Sequence, residues 1–382
     1  MDFTLTPEQR LLQGEIVRFA RGELSPGARE RDQQGTFSRE LWTRCAGVGL
    51  QGLPVPAEYE GAGLDPLSTA VALEAFGYGC EDGGLVFSLC AHLLACVVPI
   101  WLHGSEEQKR RFLPGLCDGS RIAVNAMTEP GSGSDAFAMT TRAEPAGEGF
   151  RLHGAKTFCS NAPVADLALV YAVTDAAKGY HGGITAFAVE MDAPGVARGQ
   201  TFEKMGLRTS PIGEVVLDGV EVPAANAIGG IGGGATVFVE SMEWERTMIA
   251  ASHVGAMQRL LERSIDYARH RTAGGQPIGK YQAVSHRIAD MKVRLEASRL
   301  LVHRAASRLG RARDVAIDTS SAKLFVSESL VESAIDTVRV LGGYGFMVEY
   351  DAERAVRDAI GGLLYSGTNE IQRNVIARWL GL

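Results

Sequence analysis

The stretch of this chain best equipped to hold a polar ligand is Ala126-Met127-Thr128-Glu129-Pro130-Gly131-Ser132-Gly133-Ser134-Asp135. Its glycines let backbone approach a ligand closely, and its N–H groups and hydroxyls can donate to a phosphate or a polar ring. By composition alone such a stretch is a turn-rich loop. Gly230-Ile-Gly232-Gly-Gly234-Ala235 spells the GxGxxA of a dinucleotide fold. No βαβ unit with an acidic residue about twenty positions on follows it, so it reads as a loop ahead of a helix. The six cysteines (Cys45, Cys80, Cys90, Cys96, Cys117, Cys159) have neither CxxC nor Cys/His spacing, which argues against a metal site. They read as small buried hydrophobes in a reducing compartment. A single acid on a helical stretch, Glu245 included, reads as a solvated charge unless something else distinguishes it.

These groups need a scaffold, and 382 residues allow roughly two or three domains. Hydrophobic residues make up 46% and charged ones 22%, as in an ordinary soluble protein. A formal charge of −7 offers no electrostatic footprint for nucleic acid or an anionic membrane surface. The start, Met-Asp-Phe-Thr-Leu-Thr-Pro-Glu-Gln, has no basic then apolar leader, which points to the cytoplasm. Between Asp82 and Glu106 there is no Lys, Arg, Asp or Glu, a length that could span a bilayer. His92, Pro99 and small residues interrupt it and no basic cluster flanks it, so a buried core helix is the expectation.

Three textures follow one another. Up to about residue 122 the chain reads as helices. Thr6-Pro7-Glu8-Gln9 and Ser105-Glu106-Glu107-Gln108 are capping boxes, with Pro114-Gly115 closing the second helix. Leu11, Leu12, Val17, Phe19 and Ala20 keep a helical stripe. Residues 123–235 are rich in Gly, Pro, Thr and Val, with short runs at Leu167–Val173, Ile184–Val189 and Glu214–Leu217, which predicts antiparallel strands. From 236 to 382 the helical period returns, with apolar faces at Met248, Ala251, Val254, Gly255, Leu260 and Leu261, and at Ile288, Met291, Leu295 and Leu300.

The loop 126–135 resembles the signature of the acyl-CoA dehydrogenases, and four further blocks in order strengthen the likeness. Lys156-Thr-Phe158-Cys-Ser160-Asn161 resembles the family's second flavin-contacting strand. Arg271 with Pro277-Ile278-Gly279 and Gln282 resembles its flavin-pyrophosphate helix. Arg339-Val-Leu-Gly342-Gly343-Tyr-Gly345 with Arg357-Asp358, then Tyr365-Ser366-Gly367-Thr368-Asn369-Glu370-Ile371-Gln372-Arg373, resemble its C-terminal pattern. The resemblance implies an acyl-CoA dehydrogenase-like fold: an N-terminal α-helical domain, a middle antiparallel β-domain and a C-terminal four-helix bundle. It also implies a homotetramer with FAD between the β-domain and the last helices, partly covered by a neighbouring subunit. By position, Met127, Thr128, Gly133, Ser134, Phe158 and Ser160 would meet the flavin end. Arg271, Gln282, Arg339, Gly342 and Gly343 would hold pyrophosphate or adenosine of a neighbour's FAD, and Thr368 and Glu370 would close the site. Phe158 stands where a tryptophan is usual, and Gly274 where an aromatic is.

In most of that family a catalytic carboxylate occupies the position of Ser366, and a lone serine hydroxyl is no substitute base. A minority carries the Glu on the preceding long helix, and the matching residue is Glu245. The resemblance therefore implies that Glu245 takes an α-proton while the backbone N–H of Ser366 donates to the thioester oxygen. Arg246 would orient the base or meet substrate, and His92 is a further candidate for substrate contact. Ser241-Met-x-Trp244-Glu245-Arg246, Asn125-Ala126, Asn161-Ala162-Pro163, Gly84–Phe87 with Ala91-His92, and Arg339 look most like enzymes that oxidise a prolyl group on a carrier protein's phosphopantetheine. An acyl or peptidyl carrier protein is thus the expected partner. An acyl-CoA enzyme and a non-catalytic flavin or acyl binder are the alternatives, and the electron acceptor (oxygen or an electron-transfer flavoprotein) stays open.

Overall fold

The computed structural model describes residues 4–312 and 314–382. The first three residues of the stretch read for a leader lie outside that range. Helices fill the chain as far as Cys117, strands run from Ala123 to Ile228, and helices resume at Gly234.

Both capping boxes form. Thr6 and Gln9 exchange side-chain and backbone hydrogen bonds ahead of α1 (Pro7–Phe19). Two central helices, α2 (Pro66–Gly79) and α3 (Gly83–His92), then precede α4 (Glu106–Cys117), whose start Ser105 and Gln108 cap in the same way. Pro114 does not end α4, as expected from sequence, but lies inside its last turn. Its missing N–H removes one i→i−4 bond, to the Arg110 carbonyl, and the helix still runs on to Cys117. The stretch Gly83–His103 is apolar enough to cross a membrane, yet 78% of its apolar window is buried inside the protein. All six cysteines are buried and unpaired.

The middle region is one sheet built from β1 (Ala123–Ala126), β2 (Arg142–Ala146), β3 (Gly149–Ser160), β4 (Leu167–Val173), β5 (Ile184–Glu190), β6 (Val196–Thr201), β7 (Ile212–Pro223) and β8 (Ala227–Ile228). Its pairing is antiparallel except at β1 and β2, both of which run parallel to β4. The chain leaves β1 through the 126–141 loop and crosses before β4 forms, which is the long connection a parallel pair requires. A register irregularity falls in β3 between Lys156 and Cys159. Gly229, Gly230 and Gly232 all have positive φ, so the GxGxxA spelling is a turn, as read.

The C-terminal helices are α5 (Gly234–His270), α6 (Gln282–Arg308), α7 (Val315–Leu341), α8 (Ala352–Gly361) and α9 (Asn369–Trp379). Helix α5 has 37 residues, about 55 Å at the α-helical rise. It packs on α6, α7 and α2. At the α2 crossing, a Cβ on Gly77 would strike the backbone of Ser252, and one on Gly255 the backbone of Glu74. Glycine at both points lets the two backbones touch, which joins the N-terminal and C-terminal helices into one core. Leu11 and Leu300, expected on buried faces, are exposed. Leu300 lies roughly 120° around α6 from Ile288, and Ser298 and Val302 complete the buried stripe instead.

Candidate active site

Glu245 lies about three turns into α5, on its inward face, and is buried despite its charge. Its Oε1 accepts a hydrogen bond from Ser366 Oγ at 2.6 Å. Its Oε2 is buried and has no hydrogen-bond partner among the described residues. Burial pushes the carboxyl pKa up, while the Ser366 hydrogen bond and the charges of Arg246 and Lys323 oppose that rise. A buried carboxylate with one oxygen unpaired is costly, and that is the arrangement a proton acceptor needs. The expectation of a solvated helix charge does not describe it.

Ser366 belongs to the turn between α8 and α9. It has φ +58° and is followed by Gly367 at +80°. The Ser366 carbonyl accepts from Arg246 Nε at 3.2 Å and Gln372 Nε2 at 3.1 Å. Lys323 and Ser327, on α7, both donate to Asn369 Oδ1 and tie down the start of α9. Burial, then the charge of Arg246, brings the Lys323 pKa down to about 8. Thr368 caps α9 by accepting from the Ile371 N–H, and Glu370 is exposed in its first turn. Sequence reading missed Lys323 and the role of Gln372. A lysine in register with Thr319, Val326 and Leu330 on an inward stripe was the available signal.

Below Glu245 the same face of α5 continues as Ile249, His253, Ala256 and Leu260. With Phe87, Cys90 and Tyr365 these line a cavity of about 430 Å3. Tyr365 packs on Phe87 (ring centroids 4.5 Å apart) and its hydroxyl lies 2.8 Å from His253 Nε2. Burial drives the His253 pKa down to about 3, so the ring is neutral.

On the sheet side, the signature loop is fastened by a buried ion pair. Lys156 Nζ donates to Glu129 Oε1 at 2.9 Å and to the Met127 carbonyl at 3.0 Å. Glu129 also accepts from Thr140 N, Thr140 Oγ1 and Thr141 N. Burial pushes this carboxyl up, but the Thr141 and Thr140 hydrogen bonds and the Lys156 charge outweigh it, holding the pKa at about 2. Next to that clamp, Thr128 accepts from the Thr157 N–H. Phe158 sits at φ +52° in the β3 irregularity with 61% of its surface exposed, its ring tilted 43° to that of Phe202 with centroids 5.3 Å apart. Gly133 and Ser134 are exposed and Ser160 half-buried.

A second cavity, of about 520 Å3, is lined by Arg271, Gly342, Gly343, Tyr267 and Tyr344 among others. The sequence-expected Arg271 and Gly342-Gly343 are thus brought together from the ends of α5 and α7. A Cβ on either glycine would meet open space, so this wall is bare backbone. Gln282 opens α6, and Arg339, exposed near the end of α7, pairs with Asp336.

His92 is not brought to the site. It is fully buried beside Trp42, its Nδ1 accepts from the Ala123 N–H and its Nε2 faces the Leu116 carbonyl at 3.0 Å. Nε2 therefore carries the proton, and burial brings the pKa down to about 4. The ring staples α3 to α4 and β1.

Comparison with known proteins agrees with this layout. Three models of one family match in order: "Acyl-CoA dehydrogenase, N-terminal domain" at residues 6–120, "middle domain" at 125–220 and "C-terminal domain" at 232–381. An L-prolyl-[peptidyl-carrier protein] dehydrogenase of Serratia sp. is 40% identical over 382 residues, covering 100% of this chain and 99% of the relative. The crystal structure of the prolyl acyl carrier protein oxidase AnaB superposes with TM-score 0.97 at 40% identity, over 99% of this chain and 100% of that one. PigA with FAD and proline gives TM-score 0.97 at 40% identity, over 100% of both chains.

Proposed function

Because the chain belongs to the acyl-CoA dehydrogenase family, we propose that it oxidises a prolyl group held as a thioester on a carrier protein, with Glu245 as the base. The chain is an FAD-dependent oxidoreductase whose partner is an acyl thioester of a carrier protein or of CoA. The observation that carries the mechanistic reading is the buried Glu245, with Oε1 on Ser366 and Oε2 unpaired.

When bound, FAD accepts the β-hydrogen of the acyl group as hydride. The chain supplies the rest. Glu245 Oε2 takes the α-proton: the Cα–H bond breaks, an O–H bond forms, and the freed electron pair joins the new Cα=Cβ bond. The burial that raises the Glu245 pKa strengthens it as a base at neutral pH. The Ser366 N–H is the proposed donor to the thioester oxygen, where negative charge develops. Arg246 acts on this site through the Ser366 carbonyl that it holds.

The residues fit FAD. The bare glycine wall at Gly342 and Gly343 and the exposed Phe158 ring offer close backbone and a flat apolar face, which pyrophosphate and a ring system respectively require. Met127, Thr128, Gly133, Ser134, Phe158 and Ser160 form the flavin side, with Thr368 and Glu370 at its edge. Arg271, Gln282, Arg339, Gly342 and Gly343 form the other. Among the described residues the second cavity shares no lining residue with the first group, which fits a cofactor whose two ends are held by different chains of a homotetramer; the proposed compartment is the cytoplasm.

Prolyl-loaded carrier protein and a panel of acyl-CoA esters, each followed by intact mass, test the substrate. Losses of two hydrogens on the carrier-bound prolyl group are expected. Losses confined to CoA esters would replace this reading with an acyl-CoA dehydrogenase.

A further inference from the structure

We propose that the Ser366 hydroxyl is a positioning residue: it holds Oε1 of Glu245 and so makes Oε2 the oxygen that meets the α-proton. This rests on Glu245 being the base.

The terminal torsion of a glutamate has a broad, roughly two-fold well, so an unanchored carboxylate presents either oxygen over a range of angles. In this site, among the described residues, the Ser366 Oγ–H at 2.6 Å is the hydrogen-bond donor that Glu245 has. The neighbouring cations are engaged elsewhere. Arg246 Nε goes to the Ser366 carbonyl, and Lys323 Nζ goes to Asn369 and the Leu363 carbonyl. Oε2 is buried and has no partner among the described residues.

The anchor is itself built with some strain. Ser366 takes a left-handed backbone that side-chain-bearing residues rarely adopt. Two donors pin its carbonyl, and Gln372 also reaches the Gly367 carbonyl at 2.8 Å. That geometry turns Oγ towards α5. The hydrogen bond acts in the same direction as the neighbouring positive charges, against the rise that burial imposes on the base.

The test uses the FAD-loaded enzyme with Ser366→Ala and Ser366→Gly. Both remove the hydroxyl, and glycine also relieves the backbone. The acid limb of kcat/KM against pH is measured on whichever thioester the enzyme turns over. The protonated-carboxyl infrared band, assigned with Glu245→Gln, is titrated without substrate. A hydrogen bond to a charged group predicts that both limb and band move up by about one pH unit in both variants. At pH values on the acid limb of the parent enzyme, turnover then falls about tenfold, with KM changing less than about two-fold. A limb and band that stay in place, or a shift in the alanine variant that the glycine variant lacks, would overturn the positioning role. If Glu245→Gln itself kept parental turnover, the base assignment would fall and this proposal with it. An inactive Glu245→Gln beside unshifted serine variants would sink only the proposal.

Discussion

Two buried glutamates, Glu129 beside the signature loop and Glu245 on α5, have similar exposure, 5% and 8%, and opposite surroundings. Glu129 accepts from Lys156, from two backbone N–H groups and from a hydroxyl, and its carboxyl is held at about 2. Glu245 accepts one hydroxyl, keeps a bare oxygen and has its pKa raised. Burial pushes both upward, so the difference comes from the donors. A carboxylate with its lone pairs satisfied fixes a loop; one left incomplete can take a proton.

The largest expected effect separates their roles. Glu245→Gln should lower kcat by about 10²- to 10⁴-fold while FAD stays bound, read from turnover and the flavin absorbance. Undiminished turnover would erase the contrast. Second, Lys156→Met leaves Glu129 buried and uncompensated. It should lower unfolding free energy by about 3–5 kcal/mol, measured by denaturant titration, and should loosen FAD retention because Met127 loses its fastening. Smallest is the pH signature of stability. The Glu129 pKa is depressed in the folded state, so its stabilisation is present above about 4.5 and is lost as pH falls towards about 2. Glu129→Gln should therefore be less stable than the parent at neutral pH, with the gap closing through that window. Glu245, whose folded pKa is raised, carries the opposite sign: ionising it opposes folding. Glu245→Gln should accordingly be no less stable than the parent at pH 7. A loss comparable to that of Glu129→Gln would show that the two sites do not differ in kind.

Local rules written in the sequence appeared as local structure. Thr6 with Gln9 and Ser105 with Gln108 cap their helices as their spacing demanded, and the run Leu167–Val173 is β4 to the residue. The site was legible in part. Arg271 and Gly342-Gly343 do share a cavity. Glu245, though, was singled out through a resemblance and a missing acid at Ser366, since one glutamate on a helix carries no mark of burial. The Ser366–Glu245 contact joins positions 121 apart, beyond the reach of any periodicity. His92 misled because a polar residue in an apolar run signals either a ligand contact or an internal staple, and only its two ring partners decide. Leu300 misled because hydrophobic spacing was followed past the point where it left the helix's inward face.

The contact between Ser366 and Glu245 also bears on how such a site can change over time. Two positions far apart in the chain present side chains to one point in space. The same negative charge can therefore be delivered from either address. An ancestor carrying an acid at both would pass through no inactive stage when it lost one of them. The 2.6 Å hydroxyl contact shows how closely the two addresses approach one point.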